Sequence, residues 1–142
     1  MSANETVVVL GASPKPERYS NQAVRALVEH GHHVIPVHPL LKQIAGVPAV
    51  TALSQINGTV NTLSLYVGPE RGMALLEDMI DLKPERVIMN PGTESDEIEE
   101  QLSANNIPVL RACTLVMLRT DQSVNESLPF QSKHRRGCTM LL

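Results

Sequence analysis

Aromatic side chains are nearly missing from this sequence: one Phe, two Tyr and no Trp in 142 residues. Binding single-stranded nucleic acid takes a platform of such rings, so that role is not expected. An excess of positive charge is missing too. The formal net charge of -3 removes any general attraction to nucleic acid or to an anionic membrane. Two cysteines, Cys113 and Cys138, are too few for a disulfide framework. Cys113 lies in the apolar run "RACTLVML", where a buried thiol is the default. No apolar stretch approaches the length of a membrane span. The opening Met-Ser-Ala-Asn-Glu-Thr has neither a basic nor an apolar leader region, so a cytoplasmic location is expected. Cys138 is one position off for a prenylation box.

What is present is the composition of one globular domain, 42% hydrophobic and 19% charged. Short runs rich in Val, Ile and Leu occur at Thr6–Leu10 and at residues 34–37, 63–67, 85–89 and 108–110. They are continuous rather than alternating, as in strands covered on both faces of a parallel sheet. Helical patterns fall between them at 21–30, 69–81, 93–103 and 113–118. Ser20 is placed to cap the first helix, Gly31 to stop it and Pro69 to open the second. The alternation predicts an α/β fold: a Rossmann-like, doubly wound parallel sheet of about five strands in a single domain, in the order 3-2-1-4-5. From Asp121 the pattern fades into a polar tail, 121–142, which carries Lys133, His134, Arg135 and Arg136.

In such a sheet, ligands bind beyond the carboxyl ends of the strands, beside the first one. There the sequence reads "VVVLGASPKPERYSN". Gly11 permits a tight turn and close backbone approach. Ser13, Ser20 and the N–H groups opening the next helix can donate to phosphate oxygens. Lys15 and Arg18 add positive charge, and Arg18 can grip a phosphate with two hydrogen bonds. A dinucleotide fingerprint is not complete, however. After Gly11 no glycine appears until Gly31, and the second strand ends in Val37-His38-Pro39 where an NAD site would place an acid for the ribose.

These residues carry a family resemblance. The segment "GASPKPERYSNQAVRALVEHGHHVIPVHP", followed by "IAGVPAV", "LYVGPERG" and "NPGTES", resembles the small stand-alone coenzyme A-binding proteins, which are related to the N-terminal domain of the succinyl-CoA synthetase α subunit. The likeness spans about residues 6–118, within a binding domain of 1–120. It implies that CoA or a short acyl-CoA is held through its phosphates and adenosine. Gly11, Ala12, Ser13, Lys15, Arg18, Ser20 and Asn21 would form the phosphate loop, and Pro39 and Lys42 would flank the nucleotide. Tyr66, Val67 and Pro69 would line the pantetheine path, with Asn90, Pro91 and Gly92 closing the far side. Two positions depart from the pattern: His38 stands where Asn is usual, and Asn61 where an acid is common. The synthetase phosphorylates a histidine in a second domain for which this chain has no room. The resemblance therefore implies a small-molecule CoA ligand and no catalytic residues. With the charge and hydropathy above, no nucleic acid or membrane partner is expected, and homo-oligomerisation stays open. The alternatives are an NAD(P)-binding oxidoreductase-like or regulatory protein and an acyltransferase that uses Cys113.

Other constellations have simpler readings. His30, His32 and His33 lack a neighbouring Cys or acid ligand and are read as structural or surface groups rather than a metal site. The acids of residues 94–100 suit the positive end of a helix dipole. Met73, Met79, Met89 and Met117 fall at core spacings.

Overall fold

The computed structural model describes residues 4–127. β1 (Thr6–Leu10) leads through α1 (Tyr19–Glu29) to β2 (His33–Val37). A hairpin of β3 (Gln43–Ile44) and β4 (Val47–Pro48) and a 3-10 turn over Leu53–Gln55 follow. The chain continues through β5 (Thr62–Leu65), α2 (Pro69–Ala74), α3 (Leu76–Leu82), β6 (Arg86–Met89), α4 (Asp96–Ala104), β7 (Val109–Arg111) and α5 (Thr114–Ser127). β1, β2, β5, β6 and β7 form one parallel sheet. The single-domain, Rossmann-like α/β architecture is thus the one the apolar runs predict.

Alternate residues of each run divide the core in two. Val8, Leu10, Leu63, Leu65, Val87 and Met89 pack on one face, with Met79, Ile98 and Leu102 from the helices there. Val7 and Val9 face the other way, onto Val24, Leu27 and Leu118. Val7, Val8 and Val9 are completely buried, which is why the strand needs no polar alternation.

The strand order differs from expectation. It is β2-β1-β5-β6-β7, or 2-1-3-4-5 when the sheet strands are counted along the chain, not 3-2-1-4-5. The expected order would flank β2 with full strands on both sides, and Pro36 disfavours that. Its carbonyl faces outward and accepts from Val50 N at 3.0 Å. The proline nitrogen lies on the same side and has no hydrogen to donate, so β2 is confined to an edge. A single parallel bridge, Val37 to Val50, occupies the place of a third strand. The chain then crosses back to pair β5 with β1.

Helix boundaries also shift for local reasons. α1 begins at Tyr19 with Arg18 in the capping position and no side-chain cap, so Ser20 lies inside the first turn. At its other end, Gly31 N donates to Val28 O and His32 N to Leu27 O, with Gly31 at φ +85. That is the Schellman stop expected of this glycine. The 69–81 helix is two helices: Leu75 N divides its bond between Arg71 O and Gly72 O, and the axis breaks there. Gly72 sits against α4, where a Cβ would come within 2.8 Å of Ile98 Cδ1. α4 starts at Asp96, not Thr93, because Ser95 Oγ accepts from Ile98 N at 3.2 Å. α5 runs on to Ser127, past the expected fading at Asp121. Lys133, His134, Arg135, Arg136 and Cys138 lie outside the described residues. Among the described residues, no helix is long and apolar enough to cross a membrane.

Candidate functional site

At the carboxyl end of β1, Gly11 turns the chain at φ +94, against the backbone of Tyr66. Ala12 N ties the turn to Val37 O at 3.2 Å. The loop then closes on itself. Ser13 N donates to Ser20 Oγ (3.0 Å), Lys15 N to Ser13 Oγ (3.1 Å) and Asn21 Nδ2 to Ser13 O (2.9 Å). Asn21 Oδ1 accepts from Arg25 Nε at 2.9 Å. Ser20 and Asn21 are buried, so their side chains shape the loop from beneath. Lys15 and Arg18 are exposed, and neither side chain has a hydrogen-bond or ion-pair partner among the described residues. The first N–H groups of α1 have no intrahelical acceptors and no side chain caps them. The loop therefore presents uncapped backbone donors beside two free cations, an arrangement suited to an anion.

Behind the loop lies a cavity of about 130 Å³ at the ends of β1, β2 and β5. Gly11, Pro39 and Val67 line it, as do Leu53 from the 3-10 turn, Arg71 from α2 and Asp78 from α3. The structure thus brings three expected residues together and adds two charged ones. Lys42 does not reach the cavity; it sits at the base of the hairpin, its carbonyl accepting from Ala49 N at 2.8 Å. Pro69 is exposed at the first position of α2. His38 Nδ1 accepts from both Leu40 N and Leu41 N at 3.0 Å. The ring therefore caps the turn after β2 and keeps its proton on Nε2.

At the far side, Asn90 is fully engaged inside the protein. Its Nδ2 donates to Ser64 Oγ (2.9 Å) and Leu65 O (2.8 Å), and its Oδ1 accepts from Thr114 N (2.8 Å). Ser64 and Thr114 share a further bond of 2.8 Å. This buried network pins the start of α5 to β5 and β6, so Asn90 positions the edge rather than offering its amide to a ligand. Pro91 and Gly92 are exposed beyond it, and Gly92 N donates to Glu94 Oε1 at 2.9 Å. Tyr66 points into the same neighbourhood. Its Oη is buried without a hydrogen bond, and burial pushes the phenol up to about 12. The Thr114 and Ser64 hydroxyls pull it only part of the way back, standing near but outside bonding geometry.

A family model described as the CoA binding domain matches residues 5–119. The chain belongs to that family. A protein of Bacillus subtilis (strain 168) named uncharacterized protein YneT is 23% identical over 110 residues, which is 78% of this chain and 82% of that protein. A crystal structure of an uncharacterized protein is 39% identical with a TM-score of 0.79, covering 84% of this chain and 98% of that one. The fold also matches a dinucleotide forming acetyl-coenzyme A synthetase 1 of Ca. Korarchaeum cryptofilum, in complex with phosphate and ADP. There the identity is 19% and the TM-score 0.65, over 77% of this chain and 26% of the synthetase.

Cys113 is half-exposed rather than buried; it lies in the turn before α5, with Ala112 and Thr114 turned inward on either side. His32 is buried, accepts from Glu5 N at 3.1 Å, and is held below its ordinary pKa by burial, against the pull of Glu5. His30 Nδ1 bonds Ala26 O at 2.8 Å. Asp96 and Glu99, from the acidic helix start, are gripped by Arg111 at 2.6 and 2.8 Å. Arg71 and Asp78 were not singled out in the sequence, although the seven-residue spacing, with Leu75 between them, places all three on one helical face.

Proposed function

We propose that this chain binds coenzyme A or a short acyl-CoA with its phosphates on the 11–21 loop, and has no catalysis of its own. The observation that carries this reading is the uncapped start of α1 directly after a loop that bears the unpaired Lys15 and Arg18. Membership of the CoA binding domain family supports CoA as the ligand in general, and the loop is the strongest phosphate-attracting feature at the ligand edge. The cavity behind the loop would take the adenosine end, with Pro39 against the base. NAD fits less well, because His38 and Pro39 stand where its ribose would seek an acid. His38 is further committed to its own turn.

Calorimetric titration tests the proposal. CoA should bind at least about tenfold tighter than NAD, a difference of about 1.4 kcal/mol. Arg18→Ala should weaken CoA by about 1.5–3 kcal/mol, the worth of a hydrogen bond to a charged group. NAD binding equal to or tighter than CoA, together with no effect of Arg18→Ala, would reject the reading.

A further inference from the structure

The cavity behind the loop has a chemical bias that its apolar walls do not explain. At about 130 Å³ it is well below the roughly 300–1,000 Å³ of a site that encloses a whole ligand. It is sized for one flat ring system of a larger molecule. Pro39, Leu53, Val67 and Leu75 supply apolar surface for the faces of such a ring. Asp78 lines the same space, is half-buried, and makes no hydrogen bond or ion pair with any described residue. Arg71 shares the wall but makes no ion pair with it among the described residues.

An ionised carboxylate only accepts hydrogen bonds. A half-buried one beside an apolar wall therefore favours a ring that brings its own N–H donor. A ring with a carbonyl in that position sets a second acceptor against the carboxylate, and to offer its neighbouring N1–H instead it would have to shift within the slot. We infer that Asp78 is a specificity-determining residue that reads the exocyclic amine of a bound purine, so that the site takes an aminopurine and rejects its 6-oxo counterpart. The inference rests on the proposed CoA reading, and it assigns to α3 a contact that the loop residues do not provide.

The test compares CoA with its analogue carrying hypoxanthine in place of adenine, titrated into the wild-type chain and into Asp78→Asn. An asparagine amide both donates and accepts, so it can serve either base. The wild type should prefer CoA by about ten- to a hundredfold, the range of a hydrogen bond to a charged group. Asp78→Asn, folded by its thermal midpoint, should bring the ratio close to one. Equal wild-type affinities, or a preference that survives in Asp78→Asn, would overturn the role of Asp78 while leaving CoA binding intact. Failure of the wild type to bind CoA at all would instead reject the reading beneath it, and this inference with it.

Discussion

Two glycines turn the chain at the ligand edge with nearly the same backbone angle, Gly11 after β1 at φ +94 and Gly92 after β6 at φ +95. Their surroundings are opposite. A Cβ on Gly11 would stand 2.9 Å from Val67 Cγ1 and 3.0 Å from the Tyr66 carbonyl carbon, whereas one on Gly92 would meet nothing within 4 Å. At Gly11 the backbone is pressed against the neighbouring strand end, and the loop beyond it leaves its cations and helix donors free. At Gly92 the turn is open, and the order behind it comes from Asn90, whose amide is spent on Ser64, Leu65 and Thr114. One turn is built to bring backbone close to something; the other is held from within.

The largest effect should come from the second turn's anchor. Asn90→Ala leaves the buried Thr114 N–H and the Leu65 carbonyl without their partner. At about 1–3 kcal/mol for each unsatisfied group, destabilisation of about 4 kcal/mol is expected in urea unfolding. A loss under about 1 kcal/mol would mean that the network does not hold α5 in place. Next comes Gly11→Ala, which combines an unfavourable positive φ with a contact too short to keep. About 3 kcal/mol of stability should be lost, and CoA affinity should fall with it. The smallest effect belongs to Gly92→Ala, which meets the backbone penalty alone, about 1 kcal/mol. Equal midpoints for the two alanine variants would erase the distinction between the turns.

Much of this edge was legible in the residues themselves. The continuous valines of β1, Gly11 directly after them, and the Ser-Asn pair near the start of a helix put a loop at the carboxyl end of the first strand, where the structure has it. Less was legible where tertiary contact decides. Ser20 and Asn90 both have the polarity of ligand contacts, but burial turns one into a loop brace and the other into a strand-to-helix pin. The strand order had one local sign: Pro36, inside an otherwise good strand, argues for an edge position. The break at Leu75 was not readable. Beside it Gly72 packs against Ile98, a residue of a helix that begins more than 20 positions later.

That same edge strand bears on how copies of the chain can meet. An unpaired edge offers a ladder of donors and acceptors on which another chain's strand can grow, the common route to runaway β-association. Beside β2 the ladder is broken twice, by a proline with nothing to donate at 36 and by the Val50 peptide that already occupies the groups around it, Val50 N on Pro36 O and His38 N on Val50 O, both at 3.0 Å. Around Pro36 and His38 a second copy finds those rungs already taken. Strand addition is hindered at these two positions by backbone chemistry alone, before any surface charge is considered.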